Sequence, residues 1–351
     1  MLPKDQVINV LSFISAHNHL REGLFLNDII EAERYYSYLV AMGNLSSPTD
    51  TAESVMDYDA KIERDAEFTS IPTLMLTKRT SVEVIEDAYE RGIRAVKFLP
   101  GSTSTNSDDG ISFFDLMEPH GYYLMDAIVD SGMLFLVHAE LSNCRNGAPI
   151  DEFARCARAL PFLEQIVFHF GSEIKMVVEH ANDRLTIEFV RQASKKGLNV
   201  WATIRPHDTI LTWDDVCDAK TGKVIHPLNY AKPIAKTEDD RLAALEAMVG
   251  GEDCFFYGPD SAPHPLIDKM NGKAGIFVPS WLAIPLVVQT FERTSSLHKL
   301  QKFTVDVARK VYGLPEVKRI LTLKKTPFNI PQTYHGIPVF LAGKTLDWQI
   351  I

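Results

Sequence analysis

Between residues 11 and 258 the chain repeats one pattern eight times: a short apolar run, then a stretch with helical spacing. The runs span residues 11–19, 36–44, 68–77, 93–99, 133–140, 174–180, 198–204 and 254–258. Apolar runs without alternation suit strands buried on both faces, as in parallel sheets covered by helices. Strands alternating with helices predict parallel βαβ units, and eight of them predict an α/β fold of the closed (β/α)8, or TIM-barrel, type. An open doubly wound sheet fits less well, because no Gly-x-Gly-x-x-Gly follows the first run. The helical stretches include 27–34, with Asn27 or Asp28 as cap, 81–91, stopped at Gly92, and 150–170, broken near Pro161. Phe277 onward adds more helix, and residues 336–343 read as an ordered terminal strand. A chain of 351 residues with 46% hydrophobic content can bury a core of this size. With no linker or internal repeat, residues 1–351 are expected to form one barrel domain with a C-terminal helical and strand extension.

The polar residues of these runs gather at their carboxyl ends, where barrel enzymes carry their active sites. The first run ends in Ser15-Ala16-His17-Asn18-His19-Leu20-Arg21. Side chains alternate along a strand, so His17 and His19 share a face and can hold one metal ion, with Arg21 following on that side. The fourth run carries Lys97, the fifth holds His138, the sixth ends in His180, and Asp260 follows the eighth. Imidazole and carboxylate suit zinc, with a coordination position left open for water. Lys97 is the unusual member, because an unpaired ammonium inside an apolar strand is costly. Either its pKa is lowered there, or carbon dioxide converts it to an anionic carbamate that bridges two metals. Singly, each of these residues is more simply a hydrogen-bonded core or rim residue, and Lys97 a side chain snorkelling to solvent. Chance does not explain the joint order His-x-His, Lys, His, His, Asp. His169, His298 and His335 lack such a setting and read as structural or surface residues.

The formal net charge of −10 argues against nucleic acid or an anionic membrane surface as main partner. A small anionic substrate remains compatible, since a few arginines or metals set the local field. Cys144, Cys156, Cys217 and Cys254 show no Cys-x-x-Cys spacing, so neither a zinc ribbon nor a disulfide framework is expected. Residues 1–6 carry no signal-peptide pattern and no apolar run reaches membrane-spanning length, so a cytoplasmic protein is expected.

The order and spacing of the metal-ligand types resemble the amidohydrolase superfamily, and the surroundings resemble its dihydroorotase family of the short, single-domain class. The matching pieces are His17-x-His19-Leu20-Arg21, Met42-Gly43-Asn44-Leu45, Val96-Lys97-Phe98, Leu136-Val137-His138, Val178-Glu179-His180 and Asp260-Ser261-Ala262-Pro263-His264. The tail Val339-Phe340-Leu341-Ala342-Gly343 is also similar, so the likeness covers nearly the whole chain. The resemblance implies interconversion of L-dihydroorotate and N-carbamoyl-L-aspartate in pyrimidine synthesis. It implies two zinc ions per chain, one on His17, His19 and Asp260, the other on His138 and His180, with carboxylated Lys97 bridging. A hydroxide shared by the metals would be the nucleophile, and Asp260 the general base and then acid. Arg21, Asn44 and His264 would clamp the substrate's free carboxylate, and Ser104 and Thr105 would sit on a mobile lid. Lys232 falls in the segment whose backbone contacts the substrate ring in the family. A homodimer is also implied.

The chain departs from the family pattern in places. Ser15 stands where an acidic residue usually precedes the first metal histidine. Arg205-Pro206-His207-Asp208-Thr209 replaces Thr-Pro-x-His-Leu, so Arg205 either pairs with Asp208 or reads an extra anionic group. Ala231-Lys232-Pro233-Ile234-Ala235-Lys236 replaces a more apolar Leu-Pro stretch, and Phe277-Val278-Pro279 stands in the Asn-Ala-Pro region. The alternative enzyme is another cyclic-amide hydrolase, hydantoinase- or allantoinase-like. Those relatives commonly add a small β-sandwich built from both termini, and the arm before His17 leaves no room for its first half. A catalytically silent relative acting as a binding partner is the alternative from another class, but such relatives typically lose metal ligands, and this chain keeps six.

Overall fold

Each of the eight apolar runs contributes one strand to a parallel barrel. In a computed structural model describing residues 5–351, these are β1 (Ile14–Asn18), β2 (Tyr38–Ala41), β3 (Thr69–Pro72, continuing as Leu74–Met75), β4 (Ala95–Phe98), β5 (Leu134–His138), β6 (Lys175–Glu179), β7 (Val200–Ile204) and β8 (Phe255–Tyr257). Positions 1–4 of the N-terminal stretch read for a signal peptide lie outside the described residues. Parallel ladders join β1 to β2 and β2 to β3, and run on from Leu74–Met75 through β4, β5, β6 and β7 to β8. The ring closes between β8 and β1 through the segments that carry the polar residues. Asp260 N donates to His17 O and His19 N to Ser261 O, both at 3.0 Å, and Asn18 bridges in parallel to Ser261.

Two apolar clusters follow from the two buried faces. The inner one stacks Ile14, Ala16, Val40, Met42, Ala95, Leu134, Leu136, Val177 and Phe256, with Val305, Val307, Ala308 and Val317 completing it. The outer one lies between strands and helices, for example Leu39 and Phe98 against Val55, Ile85 and Phe113. Strict alternation from Ile14 and Ala16 would send Asn18 inward. The register with β2 slips between Ser15 and Asn18 instead. Such a bulge re-aims side chains: His17 faces the barrel axis, and the Asn18 amide turns toward Ser15 Oγ at 3.4 Å.

Several sequence expectations shift. The first run's barrel strand starts later than expected, at Ile14, because Leu11 ends a separate strand, Val7–Leu11, that pairs antiparallel with Ile320–Lys324 outside the barrel. The first helix begins at Leu26 behind Phe25, so neither Asn27 nor Asp28 caps it. No break occurs at Pro161, which lies inside the helix Arg155–Phe170 on its exposed side, where water can take the carbonyl the proline leaves unpaired. The tail forms a two-residue pairing of Ile337–Pro338 with Thr333–Tyr334 rather than one strand. All four cysteines are free. Among the described residues no helix is long and apolar enough to cross a membrane.

Candidate active site

At the carboxyl end of the barrel, five strand ends bring their polar side chains to one floor. His17 Nε2, His19 Nε2 and Asp260 Oδ1 form a triangle with sides of 3.2 to 3.3 Å. Beside it His138 Nδ1 and His180 Nε2 lie 3.0 Å apart. Lys97 reaches up from β4, and its ammonium stands directly against the Glu179 carboxylate. His180 and Asp260 sit just past their strands with positive φ, +44° and +49°. That backbone is unfavourable for residues with a Cβ and is found where a site over-determines it. His180 is pinned there by its amide, which donates to Thr203 Oγ1 at 2.7 Å.

Burial sets the charges. His17 and His180 are pushed well below the ordinary imidazole value, chiefly by desolvation, and His19 and His138 are lowered in the same way. All four are therefore neutral at pH 7, the form that ligates metal. Burial alone would raise the Asp260 carboxyl, but His17, His19 and Arg205 hold it well below the usual range. Desolvation lowers Lys97 to about 7, although Asp260 opposes the shift. Neutral imidazoles and an ionised carboxylate facing each other at hydrogen-bond distance form an N/O donor set that fits a divalent metal. Two of the histidines have a carboxylate behind them. His17 Nδ1 lies 3.0 Å from Glu179 Oε1, and His138 Nε2 donates to Glu140 Oε2 at 2.8 Å, which turns His138 Nδ1 inward.

Of the twelve residues singled out in the sequence, eleven line one cavity of about 400 Å³: His17, His19, Arg21, Asn44, Lys97, Ser104, Thr105, His138, His180, Lys232 and Asp260. His264 lines an adjoining cavity of about 750 Å³ that shares Arg21, Asn44 and Thr105. Arg21 leaves the strand with φ +62°, so its place on the histidine side is fixed by contacts beyond simple alternation. Its Nε donates to Pro263 O and its Nη2 to His264 Nε2, both at 2.9 Å. Asn44 Nδ2 donates to Thr105 O at 3.0 Å and Asn106 Nδ2 to Asn44 O at 3.2 Å, which ties the loop after β4 to the rim. Lys232 Nζ pairs with Glu152 at 3.4 Å. Arg205 pairs with Asp208 and reads no extra anion: it is fully buried and its donors are taken by protein acceptors. Glu140 and Glu179 were not foreseen. Their signal was a carboxylate within two residues of a histidine at the end of an apolar run.

A parallel eight-stranded barrel with this donor floor defines the class, a barrel of the amidohydrolase type. No family model matches the chain. Among curated proteins it is similar to the dihydroorotase of Shewanella denitrificans, 34% identical over 350 residues, covering 95% of this chain and 96% of that protein. The chain belongs to the dihydroorotase family. Among solved structures it resembles the Saccharomyces cerevisiae dihydroorotase in complex with 5-fluoroorotic acid, with TM-score 0.88, 28% identity and 98% of both chains covered. An L-hydantoinase from Arthrobacter aurescens shares the fold at TM-score 0.80 and 16% identity, covering 98% of this chain and 83% of that one.

Proposed function

We propose that this protein interconverts L-dihydroorotate and N-carbamoyl-L-aspartate, opening the ring in one direction and closing it in the other. The observation that carries the reading is a single cavity in which a buried histidine, lysine and aspartate floor faces Arg21, Asn44 and Lys232. His17, His19 and Asp260 would hold one zinc ion and His138 and His180 a second, with Lys97 as a bridging carbamate. When bound, the ions supply Lewis acidity toward the amide carbonyl and lower the pKa of water.

The chain's own residues do the rest. A buried lysine lowered to about 7 is about half unprotonated at neutral pH. The free amine is the form that adds to carbon dioxide, making the N–C bond and releasing one proton. Asp260 accepts a proton as water attacks the ring amide and returns it to the ring nitrogen as the C–N bond breaks. Arg21 and Asn44 hold the free carboxylate, with His264 positioning the guanidinium. Ser104 and Thr105 close over the substrate and exclude water, and Lys232 adds a cation to the wall. A cytoplasmic homodimer belongs to the same proposal, on the family resemblance.

The test is the ultraviolet absorbance of L-dihydroorotate mixed with zinc-loaded protein. The expected result is ring-opening that disappears in Asp260→Ala. Protein that holds its metals yet leaves dihydroorotate intact overturns the substrate assignment.

A further inference from the structure

One side chain joins the floor of the cavity to its wall. Arg205 follows the last residue of β7 and is 0% exposed. A buried guanidinium is tolerated only when its charge is matched and its five N–H groups find acceptors. Here all five do. Nε and Nη2 grip the two oxygens of Asp208 as a fork, at 2.6 and 2.8 Å. Nη2 donates a second time to Pro233 O at 2.8 Å, and Nη1 donates to Lys232 O and to Asp260 Oδ2, both at 3.0 Å.

The contact with Asp260 has a directional consequence. A carboxylate on a single methylene turns easily about its last torsion, which is broad and two-fold. With Oδ2 held by the guanidinium, Oδ1 is the oxygen turned toward His17 Nε2 and His19 Nε2. The fork on Asp208 keeps the guanidinium itself from turning, because planar bidentate pairing fixes orientation as well as distance. The two carbonyls from residues 232 and 233 tie the same plane to the segment from which Ala231 and Lys232 face the cavity. No donor of Arg205 is left to face a substrate, so its action passes through Asp260.

We propose that Arg205 is a positioning residue that sets the rotation of the Asp260 carboxylate and anchors the wall segment 231–233 to it. This rests on the metal-holding and proton-transfer role proposed for Asp260. A plain folding staple would stabilise the barrel equally well without affecting how Asp260 meets a metal, and the two are separable.

The experiment compares wild type with Arg205→Met/Asp208→Leu, which removes both buried charges together and leaves neither unpaired. A second variant, Arg205→Lys, keeps a cation opposite Asp208 but has too few donors to span to Asp260 as well. Each protein is loaded with cobalt(II) and its visible absorption bands are recorded without substrate; kcat and KM for L-dihydroorotate follow. The expected result is altered cobalt bands in both variants, with kcat lower by about 10²-fold in the double variant and KM raised less than tenfold, as for a reacting group displaced by about 1 Å. Arg205→Lys should fall between. Should the double variant not fold, Arg205→Lys carries the comparison. A folded variant with the cobalt bands and kcat of wild type overturns the proposal. An unreactive wild type overturns the dihydroorotate reading, while the cobalt bands still decide this one.

Discussion

On the floor of the cavity, His17, Lys97, His138, His180 and Asp260 are each less than a tenth exposed and sit in a strand or within three residues of its end. On the rim, Arg21, Ser104, Thr105 and Lys232 stand on loops, and their places depend on contacts such as Asn44 to Thr105 and Arg21 to His264. The floor is held by a ring of parallel strands, with its imidazoles kept neutral by burial, so its geometry exists before any substrate arrives. The rim is held by a few hydrogen bonds between loops, each worth about 1 kcal/mol net, so it can open. The proposed chemistry and recognition thus rest on parts of different stiffness, and substitutions should divide along that line.

The largest effect is expected from Lys97→Ala on the floor. Turnover should fall on the order of 10³-fold or more, since several kcal/mol of metal-assisted stabilisation are at stake. Metal analysis should show fewer than two ions per chain. Two ions and near-normal turnover would break the contrast by showing that the floor does not need its lysine. A smaller effect is expected on the rim. Ser104→Ala with Thr105→Ala should lower kcat about tenfold, the worth of one or two hydrogen bonds, at unchanged metal content. Unchanged kcat would remove the lid role.

The smallest effect concerns Glu33, whose carboxyl lies beside Asn18 and Ser261 at the seam between β8 and β1. Glu33 is fully buried, and burial pushes its carboxyl up from 4.5 to about 8. A folded-state pKa above the unfolded one means that the native state binds the extra proton. Its favourable contribution is therefore complete below about pH 4.5 and is lost as the pH rises through 8. Glu33→Gln should raise the thermal midpoint by a few degrees at pH 8 to 9 and by little at pH 4 to 5. Equal differences at both pH values would exclude this carboxyl as the cause.

The floor was legible in the sequence because histidine, lysine and aspartate have few other reasons to end apolar runs in one repeated setting. Even there, the alternation that paired His17 with His19 works only through the slip between Ser15 and Asn18, which nothing local announces. Glu140 was passed over and Glu179 was quoted without a role, because a charged residue at a strand end ordinarily reads as a solvated one, and only the packed barrel shows each behind a histidine. The pairing of Arg205 with Asp208, three residues on, was readable locally. Its contact with Asp260, 55 residues away, depends on how the ring curves back. Pro161 misled for the opposite reason: a proline on the solvent face of a long packed helix costs too little to break it.

The seam between β8 and β1 runs through Asn18 and Ser261, the immediate neighbours of His17, His19 and Asp260. The proposed first metal site and the closure of the barrel are therefore one event. As the chain emerges during synthesis, its two earliest imidazoles have no carboxylate opposite them until nearly the whole ring has been made. Under the proposed assignment, the third ligand of the first ion would arrive only with the last strand. A barrel missing that stave would then lack both its closing seam and a ligand of the proposed ion.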